Sequence, residues 1–149
     1  MKLTWKTDSF ETLATRQLYD LLMLRQAVFV VEQECAYPDL DDTDLLAMHL
    51  SGHSDSGELM AYARLIRPGV SYDQASIGRV VVSPNARGRR LGQSLMEAAL
   101  AEMARLYPGQ AIKIGAQQHL EKFYNELGFE TISKMYLEDG IPHIHMLRQ

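Results

Sequence analysis

Only one cysteine, Cys35, occurs in the chain, so no disulfide can close within it. A chain without disulfides suits a reducing compartment, and the cytoplasm is the expected location. Long apolar runs are missing too. None approaches the roughly 20 residues that a membrane span needs, and Met1 to Lys6 is too short and too polar for a signal peptide. No membrane partner is expected. Nor is there an excess of positive charge: 15 Lys and Arg against 19 Asp and Glu leave a formal net charge of −4. A molecule with that balance should not cling to nucleic acid. No repeat, linker or low-complexity tract interrupts the 149 residues, so one domain, 1–149, is expected around a sizeable core.

The pattern along the chain is that of an α/β protein. Leu3 to Lys6 reads as a short strand. Asp8 and Glu11 have the spacing of a capping box before a helix that runs to about residue 27, with Leu18, Leu21, Leu22, Arg25 and Phe29 on one face. Arg25 is a costly charge on that stripe unless it is paired, and Glu32 lies on the same side. Residues 35–45 read as a solvated acidic loop, with attraction of a cationic amine as the alternative. Strands follow at 46–50, 59–67 and 76–82, the first two joined through Ser54-Asp55-Ser56-Gly57. A helix from about Arg89 ends at Pro108-Gly109. Beyond it come a strand at 111–115, a helix at 119–127 stopped by Gly128, and strands at 129–137 and 142–148 around Asp139-Gly140.

One run stands apart, Ile77-Gly78-Arg79-Val80-Val81-Val82-Ser83-Pro84-Asn85-Ala86-Arg87-Gly88-Arg89-Arg90-Leu91-Gly92. It reads as a buried strand, a tight basic loop and a helix start. The first amides of a helix lack internal partners and point outward, and the helix dipole adds positive charge there. Such a place holds phosphate. The dinucleotide fingerprint needs three spaced glycines at the first strand of a βαβ unit, and the nucleotide P-loop needs Gly-Lys-Ser/Thr. Neither is present.

The pattern that fits is Arg/Gln-x-x-Gly-x-Gly/Ala after a valine-rich strand, which resembles the GCN5-related N-acetyltransferases (GNAT). Arg87 fills its first position and Gly92 its last, while Arg90 stands where the middle glycine is usual. A second segment, Gln117-Gln118-His119-Leu120-Glu121-Lys122-Phe123-Tyr124-Asn125-Glu126-Leu127-Gly128-Phe129, is similar to that family's Asn-x-x-Ala-x-x-Phe-Tyr-x-x-x-Gly-Phe element. Gln117 and Leu120 replace its asparagine and alanine. Leu24 to Gln33 and Tyr136 to His143 resemble the ElaA-like branch. The likeness then covers nearly the whole chain.

This resemblance implies a GNAT fold: a mixed, mostly antiparallel sheet flanked by helices, with a splayed central strand at an acyl-CoA cleft. It implies transfer of an acetyl group from acetyl-CoA to a primary amine, on a small molecule or a peptide, by direct attack in a ternary complex. The co-substrate would be held by the edge of Val80, Val81 and Val82, by the loop Arg87, Gly88, Arg89, Arg90, Leu91 and Gly92, and by Gln117 and Tyr124. Pantetheine would pair as an added strand, and an N–H near Val82 would face the oxyanion. Tyr124 would be the general acid for the leaving thiolate. The alternative is a non-catalytic acyl-CoA sensor or scaffold.

The base is open between Glu32, Asp41, His49 and His143. Glu32 has a structural alternative in Arg25, and His49 one as a satisfied strand histidine. Arg79, expected to face the same way as Ile77 and Val81, either holds an acceptor carboxylate or pairs inside the fold, and His143 is the other acceptor candidate. His143 and His145 share a sheet face, but no third ligand completes a metal set, so no metal is expected. Cys35 is expected to be an inert thiol.

Overall fold

The computed structural model describes residues 1–149. Two antiparallel sheets meet along one seam. The first runs in the order β1 (Thr4–Ser9), β2 (Met48–His53), β3 (Leu59–Ile66), β4 (Ser76–Val82). The second places β8 (Ile141–Arg148) between β5 (Ile112–Gln117) on one side and β6 (Glu130–Thr131) and β7 (Tyr136–Glu138) on the other. The seam is a single parallel bridge, Ala75 to Ile112, where the Lys113 N–H donates to the Ala75 carbonyl at 2.8 Å. Beyond it β4 and β5 diverge, so the β5-facing backbone of β4 has no strand partner.

Helix α3 (Leu91–Leu106) packs the main core, burying Leu91, Leu95, Met96, Ala99 and Met103 with Leu65, Ile77, Ile114 and Met146. Helix α1 (Thr15–Arg25) covers the other face of the first sheet, where Leu21, Leu24 and Val28 pack on Tyr62 and Val81. Each cluster matches the apolar spacing of its helix.

Several expectations need correction. Asp8 belongs to β1 and caps nothing. Helix α1 begins at Thr15, where the Ala14 N–H donates to Gln17 Oε1 at 2.8 Å. Its α geometry stops at Arg25 and widens into a π-helical segment, Gln26–Glu32. That widening moves Glu32 off the face of Arg25. Arg25 instead meets residues of the acidic loop, which is therefore solvated only in part: Asp39 and Asp44 are buried, while Asp41 and Asp42 are exposed. A short helix α2 (Thr43–Leu46) takes up Leu46 and delays β2 to Met48. The helix expected at 119–127 is a 3₁₀ turn at Gln118–Leu120 followed by α4 (Glu121–Asn125). The strand expected at 129–137 is two short pieces, β6 and β7.

The alternation in β4 is broken as well. Tyr62 faces Val81 but Arg64 faces Gly78, so β4 carries one extra residue. Arg79, at φ 50°, sits in that bulge. As a result Ile77 joins the α3 side and Val81 the α1 side, so the two do not share a face. A bulge re-aims side chains and bends the strand, and here it bends β4 where the two sheets part.

Candidate active site

The divergence of β4 and β5 opens a cleft of about 730 Å³. Val80 to Val82 form one wall, Ile114 to Gln117 the other, Val28 and Phe29 come from the π-helical segment, and Gln33 directly follows it. A π bulge inside a helix often marks a functional site, and here it carries the chain across the cleft. Glu32 pairs with Arg87, and Gln117 Nε2 donates to Gln33 Oε1 at 3.4 Å.

At one end lies the basic loop. Ser83 Oγ accepts from the Asn85 N–H at 3.4 Å in a 3₁₀ turn, Pro84–Ala86. Gly88 (φ 81°) and Arg90 (φ 56°, ψ 27°) both take left-handed backbone before Leu91 starts α3. This conformation explains the glycine usual at the motif's middle position: a side chain there costs roughly 1–2 kcal/mol. No side chain caps α3 at Arg90, so its first amides lack a protein partner. The Arg87 guanidinium also faces the cleft and makes a two-pronged pair with Glu32 at 2.6 and 2.8 Å. That guanidinium holds the Glu32 carboxyl below its usual range.

Tyr124 lies on the same cleft, 6% exposed, with its ring edge-on to Phe123 and Phe129. Its hydroxyl makes no hydrogen bond to the protein. Burial pushes the phenol up to about 12, so it keeps its proton at neutral pH.

A network of three arginines and three aspartates lies beside the cleft. Arg25, wholly enclosed, donates from Nε to Asp39 Oδ2 at 2.9 Å and from Nη1 to Asp44 Oδ1 at 2.8 Å. Its Nη2 donates to the Asp39 carbonyl at 2.9 Å. Arg64 Nη1 bridges Asp41 at 2.7 Å and Asp44 at 2.9 Å. Arg79 Nε lies 2.9 Å from Asp39 Oδ1 but is out of line for a hydrogen bond, and its guanidinium covers the Tyr37 ring. Sequence reasoning expected Glu32 opposite Arg25 and missed this network, because its members come from α1, the acidic loop, β3 and β4. The unpaired arginine on the α1 stripe was the one available signal.

Val80, Val81, Val82, Arg79, Arg87, Gln117, Tyr124 and His143 all line the cleft. Leu91 is buried beneath the loop, and Gly88, Arg89 and Arg90 are exposed on it. A Cβ on Gly92 would lie 3.8 Å from the Phe123 ring. His49 does not reach the cleft. It is fully enclosed on β2, donating from Nε2 to the Asp44 carbonyl at 2.9 Å and accepting at Nδ1 from the Tyr62 hydroxyl at 2.6 Å. Burial lowers its basicity further. Both ring nitrogens are thus used in a structural link between β2, β3 and the acidic segment, which is the alternative to a base at this position. The Cys35 thiol meets the Asp139 carbonyl at 3.6 Å. No group of three or more His, Cys, Asp or Glu side chains is placed to hold a metal ion.

The other end of the cleft is built by β7, β8 and the β3–β4 loop. Tyr72 from that loop stands edge-on to His145, and Lys113 Nζ lies 4.7 Å over its ring. Tyr136 stacks on His143 and packs on His145. Both tyrosine hydroxyls converge on Gly115, where a Cβ would lie 2.9 Å from one and 3.3 Å from the other.

A bent β4 with a free edge, a basic loop at a helix start and a tyrosine in the cleft are the features expected of the acyl-CoA N-acyltransferase class. The comparisons agree. Residues 26–149 match the family model of the acetyltransferase (GNAT) domain. The chain belongs to the GNAT family. Within that family it is 43% identical to Escherichia coli ElaA over 97% of this chain and 95% of that one. The crystal structure of E. coli ElaA superimposes with a TM-score of 0.91 at 42% identity, covering 99% of each chain. An acyl-CoA N-acyltransferase from Pseudomonas aeruginosa superimposes with a TM-score of 0.94 at 44% identity, over 99% of this chain and 100% of that one.

Proposed function

We propose that this protein transfers an acetyl group from acetyl-CoA to a primary amine by direct attack in a ternary complex. One observation carries the reading: the unpaired β4 edge, the uncapped α3 start and the unbonded Tyr124 hydroxyl open onto or border a single cleft. The residues fit the donor. Val80 to Val82 offer backbone groups to an amide-bearing arm. Arg87, Arg89, Arg90 and the first amides of α3 offer donors to a pyrophosphate. To be used there, Arg87 exchanges Glu32 for phosphate. An N–H near Val82 would face the developing oxyanion.

Tyr124 presents its proton to the sulfur as the C–S bond breaks. An ordinary thiol has a pKa near 8.5, well below the phenol. Full transfer in the ground state is therefore uphill, and the hydroxyl acts first as a hydrogen-bond donor to the thiolate. The dry wall that raises the phenol raises the thiol too, which narrows the gap. Amines of small molecules or peptides remain the acceptor class, and the lone cysteine supports a cytoplasmic setting.

Calorimetric titration with acetyl-CoA, beside adenosine diphosphate, tests the reading. Acetyl-CoA should bind much more tightly than the diphosphate, because the β4 edge adds to the loop. Equal binding, or none, would remove the donor site. Thiol release on adding amines separates a transferase from a sensor that only binds the thioester.

A further inference from the structure

We infer that His143, paired with Glu138, is the group that receives an alkylammonium acceptor and takes its proton. This rests on the acetyl-transfer reading above and names its acceptor side. His143 lies on β8 opposite Gln117 on β5, and Gln117 leads directly into the turn and helix that carry Tyr124. The two proton-handling groups thus stand on connected elements lining one cleft.

The imidazole is fixed in orientation. Its Nδ1 donates to the Ile141 carbonyl at 2.7 Å, which leaves Nε2 as the free nitrogen. Tyr136 stacks against one ring face, 5.9 Å between centroids. Nε2 lies 3.4 Å from Glu138 Oε2, and that carboxylate is 60% exposed at the rim. A buried nitrogen beside an exposed carboxylate gives a proton a path outward.

Three other candidates on or beside the cleft are paired or exposed, and Asp139, on the turn between β7 and β8, adds a second carboxylate to the rim that Glu138 occupies. Asp41 is bound by Arg64 and Arg79. Glu32 is bound by Arg87 at the donor end. His119 is exposed on the turn after β5. Arg64 and Arg79 are neutralised by aspartates, and the Lys113 ammonium lies over the Tyr72 ring, while Glu138 pairs with His143. What this end of the cleft offers is the carboxylate of Glu138 with aromatic rings beside it. Those groups recognise a cation.

The step balances as follows. Glu138 holds R–NH₃⁺ at the rim, and His143 Nε2 removes one proton. The nitrogen lone pair forms the C–N bond to the thioester carbon, and the C–S pair leaves on sulfur. Sulfur takes the Tyr124 proton, and the second proton released from nitrogen restores the phenol. His143 returns its proton to solvent past Glu138. One ammonium and one thioester give one amide, one thiol and one proton.

Butylamine serves as the probe in a thiol-release assay with acetyl-CoA. Wild-type protein should release thiol in proportion to enzyme. His143→Gln, which can still accept or donate in the cleft but cannot take a proton, should lower kcat/KM by about 100-fold or more. Its affinity for acetyl-CoA by calorimetry should stay within about threefold of wild type, which also shows that it is folded. The acidic limb of the kcat/KM profile should disappear in His143→Gln. Glu138, Tyr136, His145, Asp139, Cys35, Tyr72 and Lys113 surround the site and remain in that variant. Glu138→Gln should raise KM for butylamine more than it lowers kcat. If wild type binds acetyl-CoA but His143→Gln matches it in rate and pH profile, the assignment is overturned and the donor reading stands. If acetyl-CoA binds and butylamine gives no enzyme-dependent release, the alkylammonium seat is overturned. If acetyl-CoA does not bind wild type, the acetyl-transfer reading itself falls.

Discussion

Replacing Arg25 by methionine should cost the fold about 3–5 kcal/mol, because it strands charges that nothing else can fully neutralise. The side chain has no solvent contact and donates to Asp39 and Asp44, with its guanidinium 5.8 Å over the Tyr62 ring. Methionine fills most of the volume, so the loss is chiefly electrostatic. Asp39 keeps one cation, Arg79, with the Tyr37 hydroxyl, and Asp44 keeps one cation, Arg64, with the Asp41 N–H. A loss of that size corresponds to roughly 6–20 °C in Tm for a chain this long. The pH dependence separates charge from packing. Burial pushes the Asp44 carboxyl up, but the hydrogen bonds and charges of Arg25 and Arg64 outweigh it and leave it below its usual value. A carboxyl held low contributes stability above its unfolded value, about pH 4, and loses it as pH falls toward the lower folded value. Arg25→Met weakens that depression, so the gap between wild type and variant should be widest near neutrality and close below about pH 4. Thermal melts by circular dichroism across that range measure it. A gap under about 1 kcal/mol at neutral pH, or one that does not change with pH, would refute an electrostatic role for the network.

Tyr124→Phe should lower turnover by about 100-fold while acetyl-CoA affinity stays within about threefold, since the hydroxyl bonds to nothing in the free protein. Equal losses in both would assign the tyrosine to packing. Arg90→Gly should stabilise the protein by up to about 1 kcal/mol in urea denaturation, because it relieves a left-handed side-chain position at the start of α3. A loss of stability would mean that the arginine's contacts outweigh its strain.

What the sequence could and could not reveal follows from the range of the forces involved. The valine strand, the basic loop and the Phe-Tyr…Gly-Phe element are contiguous, and each acts through local backbone geometry, so β4, α3 and the turn before Phe129 were legible. The arginine left over on the α1 stripe correctly announced a buried ion pair but not its partner. Spacing along a regular helix pointed to Glu32, whereas the π-helical widening from Gln26 turned that residue toward Arg87. A single extra residue in β4 likewise reversed the face of every position after it, so Arg79 and Val81 could not be placed from alternation with Ile77. Both irregularities lie on the cleft, and together they fix the site: one carries the chain across its mouth, the other bends its wall. Irregular backbone is where periodicity fails as a guide, and in this protein it is also where the cleft is formed.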